Sequence, residues 1–141
     1  MPSKNKSFRN AIRREDEPRV KQLLEQKADI YHPDINGVTA LHLAAAGQSR
    51  IRYRILSRLI IAREDDVNCV ADEGTTPLLI ASLYNNHDGA RLLLAVGALD
   101  SPNNDGDTAE SIAREKKYSN VIKVIEEKMQ KDQDRPKFMR V

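Results

Sequence analysis

The chain has 141 residues, which is the size of one domain with a single continuous core. Hydrophobic residues make up 40% and aromatic residues 4%, with no tryptophan, so the core must be built mainly from Leu, Ile, Val and Ala. The single cysteine, Cys69, cannot form an internal disulfide, which fits a reducing compartment. The apolar runs are too short to cross a bilayer, and no apolar stretch follows the basic start. We therefore expect a soluble chain of the cytoplasm, the nucleus or both.

Charge is unevenly distributed along the chain, although the formal net charge is only +2. The segment 64–110 carries ten acidic residues and one basic residue, Arg91. Both ends are basic, through Lys4, Lys6, Arg9, Arg13 and Arg14 at the start and Lys128, Lys131, Arg135, Lys137 and Arg140 at the finish. This separation of charge differs from the uniform positive charge of a nucleic-acid-binding chain. Weak nucleic-acid association through the basic ends is therefore kept only as an alternative.

In chain order, the predicted elements begin with a flexible basic N-terminus at residues 1–6. A unit of about 33 residues then repeats, a length typical of stacked supersecondary units. Each unit reads as a turn, a short helix, a loop and a longer helix, except that the first lacks its opening turn. The predicted units are residues 7–33, 34–70, 71–102 and 103–128. Residues 129–141 have no apolar period and are predicted to be a mobile charged tail.

Three glycines open the second, third and fourth units, in the segments GVTALHLAA, GTTPLLIAS and GDTAESIAR. A threonine two residues after each glycine is placed to cap the exposed amides of the short helix. Pro77 falls at the first helical position, where its missing N–H is tolerated. The short helix of the second unit is too apolar to be stable alone. Its alanines, 44–46, let neighbouring helices approach, so each helix is predicted to complete a core shared with adjacent units.

These segments resemble the ankyrin repeat over residues 7–128. The stretch DINGVTALHLAAA matches the turn and the T-P-L-H-x-A-A helix of that family, and two further matches follow at one period. The resemblance implies an all-α ankyrin-repeat solenoid of about four stacked helix-loop-helix repeats, with short β-turn or hairpin fingers. Ala40 and Ala109 depart from the family's proline, and Glu110-Ser111 replaces Leu-His, as befits a terminal unit that faces water.

The second unit is longer than the third. Gly37 to Gly74 spans 37 residues, whereas Gly74 to Gly106 spans 32. Since about four residues make one helical turn, the excess predicts a longer second helix. That helix carries Arg50, Arg54 and Arg58 at spacing four, where like charges repel by about 0.2–0.5 kcal/mol per pair. Nearby acids or a partner should offset this repulsion, so the stripe is either a solvated outer face or a possible second binding surface.

No motif predicts catalysis, a metal or a cofactor. The resemblance gives His42 a structural role, hydrogen-bonded across the turn, and Cys69 is expected to be a half-buried filler thiol. The Asp- and Asn-containing turns at 34–37 and 103–106 match ordinary turn chemistry, because no bidentate acid follows at the distance a calcium loop requires. We therefore expect a chain that is not an enzyme.

The resemblance implies a non-catalytic module that binds another protein through its concave surface, formed by the fingers and the first helix of each unit. Such a module serves as an adaptor, a scaffold or an inhibitor, and the alternative is the recognition subunit of a larger enzyme complex. By itself, the chain is expected to be a monomer without membrane association.

Tyr84, beside Leu83, is the predicted anchor of the binding surface, because aromatic side chains dominate interface energetics. The acidic residues around it favour a basic partner segment. The partner-binding residues implied by the resemblance are Arg13, Arg14, Asn36, Val38, Asp72, Glu73, Thr75, Leu83, Tyr84, Asn104, Asp105, Asp107 and Lys116.

Overall fold

The computed structural model describes residues 3–29, 32–62, 66–136 and 138. The helices in these ranges are α1 (Lys4–Arg13), α2 (Glu17–Glu25), α3 (Ala40–Ala45), α4 (Arg50–Ala62), α5 (Pro77–Leu83), α6 (His87–Ala95), α7 (Ala109–Lys116) and α8 (Ser119–Gln133). A 3₁₀ turn at Asp72–Gly74 precedes α5. The only β pairing in the described ranges is one antiparallel bridge between Ala71 and Thr75.

The helices in the described ranges form four hairpins that stack in chain order. Within each unit, α1 contacts α2, α3 contacts α4, α5 contacts α6 and α7 contacts α8. Between units, α1, α3, α5 and α7 contact their successive neighbours and form an inner row, while α2, α4, α6 and α8 form an outer row in the same way. The predicted all-α solenoid of stacked helical hairpins is therefore confirmed.

The core runs through all four units. Each inner helix places an alanine at the same position, and Ala11, Ala44, Ala81 and Ala113 are all buried. Their small side chains let adjacent inner helices pack closely, as the sequence predicts. Larger residues fill the space between the rows, among them Leu41, Ile55, Leu59, Leu78, Leu93 and Val124, all buried. Each unit thus covers the apolar face of the next.

A serine or threonine precedes every inner helix. Ser3, Thr76 and Thr108 each accept a hydrogen bond from the amide three residues later, at 3.2, 3.2 and 3.0 Å respectively. At Thr39 the bond runs in the opposite direction, because His42 Nδ1 accepts the Thr39 backbone N–H at 3.2 Å. These contacts satisfy amides that have no partner within the helix.

Two predicted boundaries differ from the structure. The helix α1 begins at Lys4, so part of the predicted flexible N-terminus forms the first inner helix, which Ser3 caps. The helix α8 ends at Gln133, beyond the predicted unit end at residue 128, and an i,i+4 pair between Lys128 Nζ and Asp132 Oδ1 at 3.1 Å supports the extension. Residues 1–2, 137 and 139–141 of the predicted terminal segments lie outside the described residues.

The second unit has the predicted longer outer helix. The helix α4 has 13 residues, whereas α2 and α6 have nine each. Ile55 and Leu59 lie on the buried face of α4, and Ile51 packs partly against the same cluster. The extra turn therefore extends the helix without moving its apolar face out of the core.

Arg52 joins the first and second units at the C-terminal ends of their inner helices. Its guanidinium donates to the carbonyl oxygens of Leu43 and Arg13, in the last turns of α3 and α1. Arg52 Nε also lies 4.0 Å from Glu15 Oε1. A cation is favoured here because helix C-termini carry partial negative charge. Gly47 leaves the necessary room, since a Cβ at this position would overlap Arg52 Cδ.

Asparagine, serine and aspartate side chains link the later units. Asn86 Nδ2 donates to Ala45 O at 3.1 Å, and Ser82 Oγ donates to Ala109 O at 2.6 Å. The Asp100 carboxylate accepts the Ala109 N–H at 2.6 Å. Burial raises the pKa of Asp100, while the hydrogen bond from Ala109 opposes that rise. The stack is thus held by polar links as well as by its apolar core.

Candidate protein-binding surface

Three tight turns project from the inner row and form a continuous edge. We name them finger 2 (34–38), finger 3 (71–75) and finger 4 (103–107), after the unit that each one opens. The Asp72 N–H donates to Asn36 O, and the Asn104 N–H donates to Glu73 O, both at 2.9 Å. These bonds fix each finger against the next, so side chains on different fingers share one surface.

Gly74 is required in finger 3 for two reasons. Its φ is +77°, in the left-handed region that glycine adopts most readily. A Cβ at this position would also lie 3.1 Å from Asn103 Cα in finger 4. Gly106 has a φ of +85°, but a Cβ there would meet nothing within 4 Å, so only its conformation calls for glycine.

The fingers reach similar shapes by different means. In finger 2, Asp34 Oδ1 accepts the N–H groups of Asn36 and Val38 at 2.8 and 2.9 Å. In finger 4, the Asn103 side chain makes the equivalent pair of bonds. All three fingers also share a backbone bond, with the N–H groups of Asp34, Ala71 and Asn103 donating to the carbonyl oxygens of Val38, Thr75 and Asp107 at 3.0, 2.8 and 2.9 Å. Finger 3 has Ala71 at the first position, which has no side-chain acceptor to add to this bond. Glu73 in finger 3 has a φ of +67°, which is unfavourable for a residue with a side chain.

His42 connects the second unit to finger 3. Its Nε2 lies 2.9 Å from Thr75 O, and its Nδ1 lies 3.2 Å from the Thr39 backbone nitrogen. A carbonyl can only accept and a backbone N–H can only donate, so the ring is neutral and carries its proton on Nε2. Burial lowers the pKa of His42, and the bond to Thr75 opposes that change. Both nitrogens serve the fold, as the resemblance implies.

Cys69 lies beside this histidine without forming a reactive pair. Its Sγ is 3.5 Å from Thr39 Oγ1 and 4.0 Å from His42 Nδ1, whose lone pair already faces the Thr39 amide. Burial raises the pKa of the Cys69 thiol, which disfavours the nucleophilic thiolate. The geometry therefore matches the expected filler role.

A groove of about 280 Å³ lies between the fingers and the inner helices of the second and third units. Its floor is largely apolar, with Leu43 and Ala46 from α3 and its C-cap on one side and Ile80 and Tyr84 from α5 and its C-cap on the other. The remaining lining residues are Asn36, Val38, His42, Ala71, Asp72 and Thr75. The groove thus combines an apolar floor with a polar rim on the finger side.

Five of the predicted partner-binding residues line this groove, namely Asn36, Val38, Asp72, Thr75 and Tyr84. Tyr84 is 52% exposed, so its ring is accessible as well as anchored by the inner row. Leu83 is the adjacent residue and is also exposed, but it does not line the groove.

The other predicted residues lie on either side of the groove. Glu73, Asn104, Asp105 and Asp107 belong to fingers 3 and 4, and Lys116 is the last residue of α7. Arg13 and Arg14 lie at the C-terminal end of α1, on the opposite side. Arg13 Nη2 reaches to 3.8 Å from Asp34 Oδ2 of finger 2. The predicted set is therefore one central cluster with two flanking groups.

Leu43 and Ile80 are groove residues that the sequence pattern did not assign to the site. The helical period of the sequence nevertheless indicates both positions. Leu43 precedes Ala46 by three residues, and Ile80 precedes Tyr84 by four, so each pair lies on one face of a helix. The two residues occupy the same position in consecutive units, as the repeat register shows.

The arginine stripe of α4 has a local counterion. Arg54 Nε lies 3.2 Å from Glu17 Oε1, and Arg58 Nε lies 3.4 Å from Glu17 Oε2. Glu17 is the first residue of α2, so the outer row of the first unit offsets part of the repulsion along the stripe. Glu17 is thus an internal acid of the kind expected near the stripe, and it contacts Arg54 and Arg58. The second binding surface at Arg50, Arg54 and Arg58 stays a prediction.

A family model described as ankyrin repeats (3 copies) matches residues 8–97 and 50–135. The chain belongs to the ankyrin-repeat family. Ankyrin repeats are generally protein–protein interaction modules and are typically non-catalytic. The fingers and inner row described above are thus the corresponding parts of an ankyrin-repeat domain, of which the described residues form four helical hairpins.

Neither a membrane-spanning helix nor a cluster of metal ligands occurs in the described part of the chain. No helix within those ranges has both the length and the apolar character needed to span a membrane. Among the same residues, no group of three or more His, Cys, Asp or Glu side chains is arranged to hold a metal ion.

Proposed function

We propose that this ankyrin-repeat chain is a non-catalytic adaptor, scaffold or inhibitor that holds a partner protein on its finger side. It acts as a monomer in a compartment that keeps Cys69 reduced, the cytoplasm or the nucleus. The observation that carries the proposal is the groove of about 280 Å³ with the half-exposed Tyr84 at its edge.

The groove suits the capture of an apolar side chain from the partner. Val38, Leu43, Ala46 and Ile80 provide an apolar floor that is open to solvent. Tyr84 adds a large surface with little loss of side-chain freedom, which is the property that makes aromatic residues frequent hot spots. The rigid contacts between fingers 2 and 3 hold the two walls in place, so little ordering accompanies binding.

The charge of the neighbouring fingers supports a basic segment in the partner. Asp72, Glu73 and Asp105 are exposed at the tips of fingers 3 and 4, and Asp107 is half-buried at the base of finger 4. An acidic rim of this kind attracts cations and raises the rate of encounter. The partner segment is therefore proposed to carry lysine or arginine residues beside its apolar anchor.

The test compares two tyrosines that are exposed in different rows. Tyr84→Ala removes the groove anchor, whereas Tyr53→Ala removes a tyrosine of α4 that is 39% exposed on the outer row. The partner is first captured from cell extract by the parent chain, identified by mass spectrometry and prepared in pure form. Titration of that partner is then expected to show more than tenfold weaker binding to Tyr84→Ala and unchanged binding to Tyr53→Ala.

Two results would contradict the proposal, and a third would favour nucleic-acid binding instead. Equal affinities for the parent chain and Tyr84→Ala, with both folded by circular dichroism, would exclude the groove as the binding surface. A loss that is equal in both tyrosine variants would show a general effect of substitution rather than a site. The third result is binding of nucleic acid whose log affinity falls with log salt concentration at a slope that corresponds to several phosphate contacts. It would favour nucleic-acid association through the basic ends of the chain.

A further inference from the structure

The flanks of the groove carry opposite charges. On the side of the first unit, Arg13 and Arg14 end the helix α1, and both residues are exposed. On the side of the fourth unit, exposed acids from fingers 3 and 4 include Asp72, Glu73 and Asp105, whereas the exposed Lys116 lies at the C-terminal end of α7, away from finger 4. The apolar floor lies between these two groups.

The charged side chains on each side of the groove remain exposed to solvent although they or their backbone make local contacts. Arg13 makes a long ion pair with Asp34 at 3.8 Å, but nearly half of its side chain remains exposed to solvent. Glu73 uses its backbone carbonyl, rather than its carboxylate, to contact Asn104 in the next finger. Both ends therefore present charged atoms to a ligand that crosses the finger side.

We infer that the groove binds one extended peptide segment whose acidic end lies over the first unit, whose central apolar side chain enters the groove and whose basic end lies over fingers 3 and 4. This inference rests on the proposed function and adds a direction to it. A segment with a uniform charge is disfavoured, because one of its ends meets a group of the same sign.

The spacing of the helices sets the length of this segment. Adjacent packed helices lie about 8–10 Å apart, so three steps along the inner row cover about 24–30 Å. An extended chain advances about 3.3 Å per residue, so about seven to nine residues cross the surface. The apolar residue then falls near the middle of the segment, because the groove lies between the second and third units.

The probe is the capped peptide Glu-Glu-Gly-Ser-Leu-Ser-Gly-Lys-Lys, with a nitroxide amino acid added at either end. Its control, Lys-Glu-Gly-Ser-Leu-Ser-Gly-Lys-Glu, has the same composition and the same central leucine but no separation of charge. Backbone amide signals of the 15N-labelled full chain report where each end lies. Peptide concentrations in the millimolar range allow weak binding to be detected.

The inference gives opposite patterns for the two labels. The nitroxide at the acidic end is expected to broaden the amide of Arg14 at least threefold more than that of Asp105, and the nitroxide at the basic end is expected to reverse that ratio. The control peptide should bind at least threefold more weakly. Equal broadening at both ends, or equal affinity of the two peptides, would overturn the inference, as would the absence of any shift around Tyr84.

A charge-reversal variant tests the inference in a second, independent experiment. The double variant Arg13→Glu and Arg14→Glu should lose at least threefold affinity for the polar peptide and gain at least threefold for Lys-Lys-Gly-Ser-Leu-Ser-Gly-Lys-Lys. A loss without the gain would overturn the inference. If the partner protein depends on Tyr84 but the peptides show no direction, the proposed function stands and the direction fails. If Tyr84→Ala has no effect either, both fail.

Discussion

Finger 3 and its neighbours, fingers 2 and 4, solve the same problem with different chemistry. Asp34 and Asn103 close their fingers with a side-chain oxygen that accepts two backbone amides. Ala71 cannot do this, so finger 3 relies on the backbone bond to Thr75 O, which has counterparts in fingers 2 and 4. Thr75 Oγ1 adds a bond to Asp72 O at 3.0 Å.

This difference shows which of the three fingers has a strained backbone. Glu73 adopts a φ of +67°, whereas the equivalent residues Asn36 and Asp105 do not have a positive φ. Finger 3 is nevertheless the one held on both sides, by Asn36 O and by the Asn104 amide. Its neighbours therefore stabilise a conformation that its own sequence disfavours, and the groove wall at Asp72 and Thr75 depends on that support.

The largest expected effect separates Gly74 from Gly106. Gly74→Val should lower the free energy of unfolding by about 2–4 kcal/mol, because a β-branched residue is strained in the left-handed region and its side chain meets finger 4. Gly106→Val has the same conformational cost without the collision, so a loss of about 1–2 kcal/mol is expected. Denaturant unfolding measures both values, and equal losses would refute the role of close packing between fingers.

A smaller effect is expected from removing the side-chain closure. Asp34→Ala and Asn103→Ala each lose two bonds to finger amides and should cost about 1–2 kcal/mol of unfolding free energy. Thr75→Val in finger 3 loses a single bond to Asp72 O and should cost about 0.5–1 kcal/mol. Denaturant titrations provide the comparison. A Thr75 variant as unstable as the Asp34 variant would mean that finger 3 relies on side chains as much as its neighbours do.

The smallest expected effect is a gain in stability. Glu73→Gly relieves about 1–2 kcal/mol of left-handed strain but adds about 0.5–1 kcal/mol of backbone entropy cost, so a net gain of about 0.5–1 kcal/mol is expected. Asp105→Gly is the matched control, because Asp105 does not have a positive φ, and it should lose stability. Differential scanning calorimetry resolves the two signs. A loss for Glu73→Gly would place the strain elsewhere.

Much of the fold could be predicted from the sequence because it repeats. Three copies of one glycine-threonine pattern located the fingers and the inner helices, and the spacing excess located the longer α4. The residues that line the groove were predictable in part for the same reason, while their role in binding stays a proposal. Tyr84 and Val38 follow from the repeat register, and the structure places both at one groove.

The remaining features depend on contacts between positions that no local pattern connects. In the sequence Arg52 lies beside a basic stripe, but the structure directs it to the carbonyls of Leu43 and Arg13. Glu17 is separated from Arg54 and Arg58 by most of the first and second units and meets them only after stacking. The helix ends in the structure also differ from the predicted ends, because capping and i,i+4 pairs extend the helices beyond the apolar period.

Arg52 gives the ankyrin stack a point of control that does not line the proposed binding groove but holds the backbone of Leu43 and Arg13 beside it. Its loss would leave carbonyls at the ends of two helices and the Glu15 carboxylate without their cation. The terminal hairpin has only one neighbour and would detach before the other three unfold. Since Arg13 and Arg14 belong to that hairpin, its detachment would remove one flank of the groove while Tyr84 stayed in place. Opening of the first repeat would therefore change which ligands are accepted before it abolished binding.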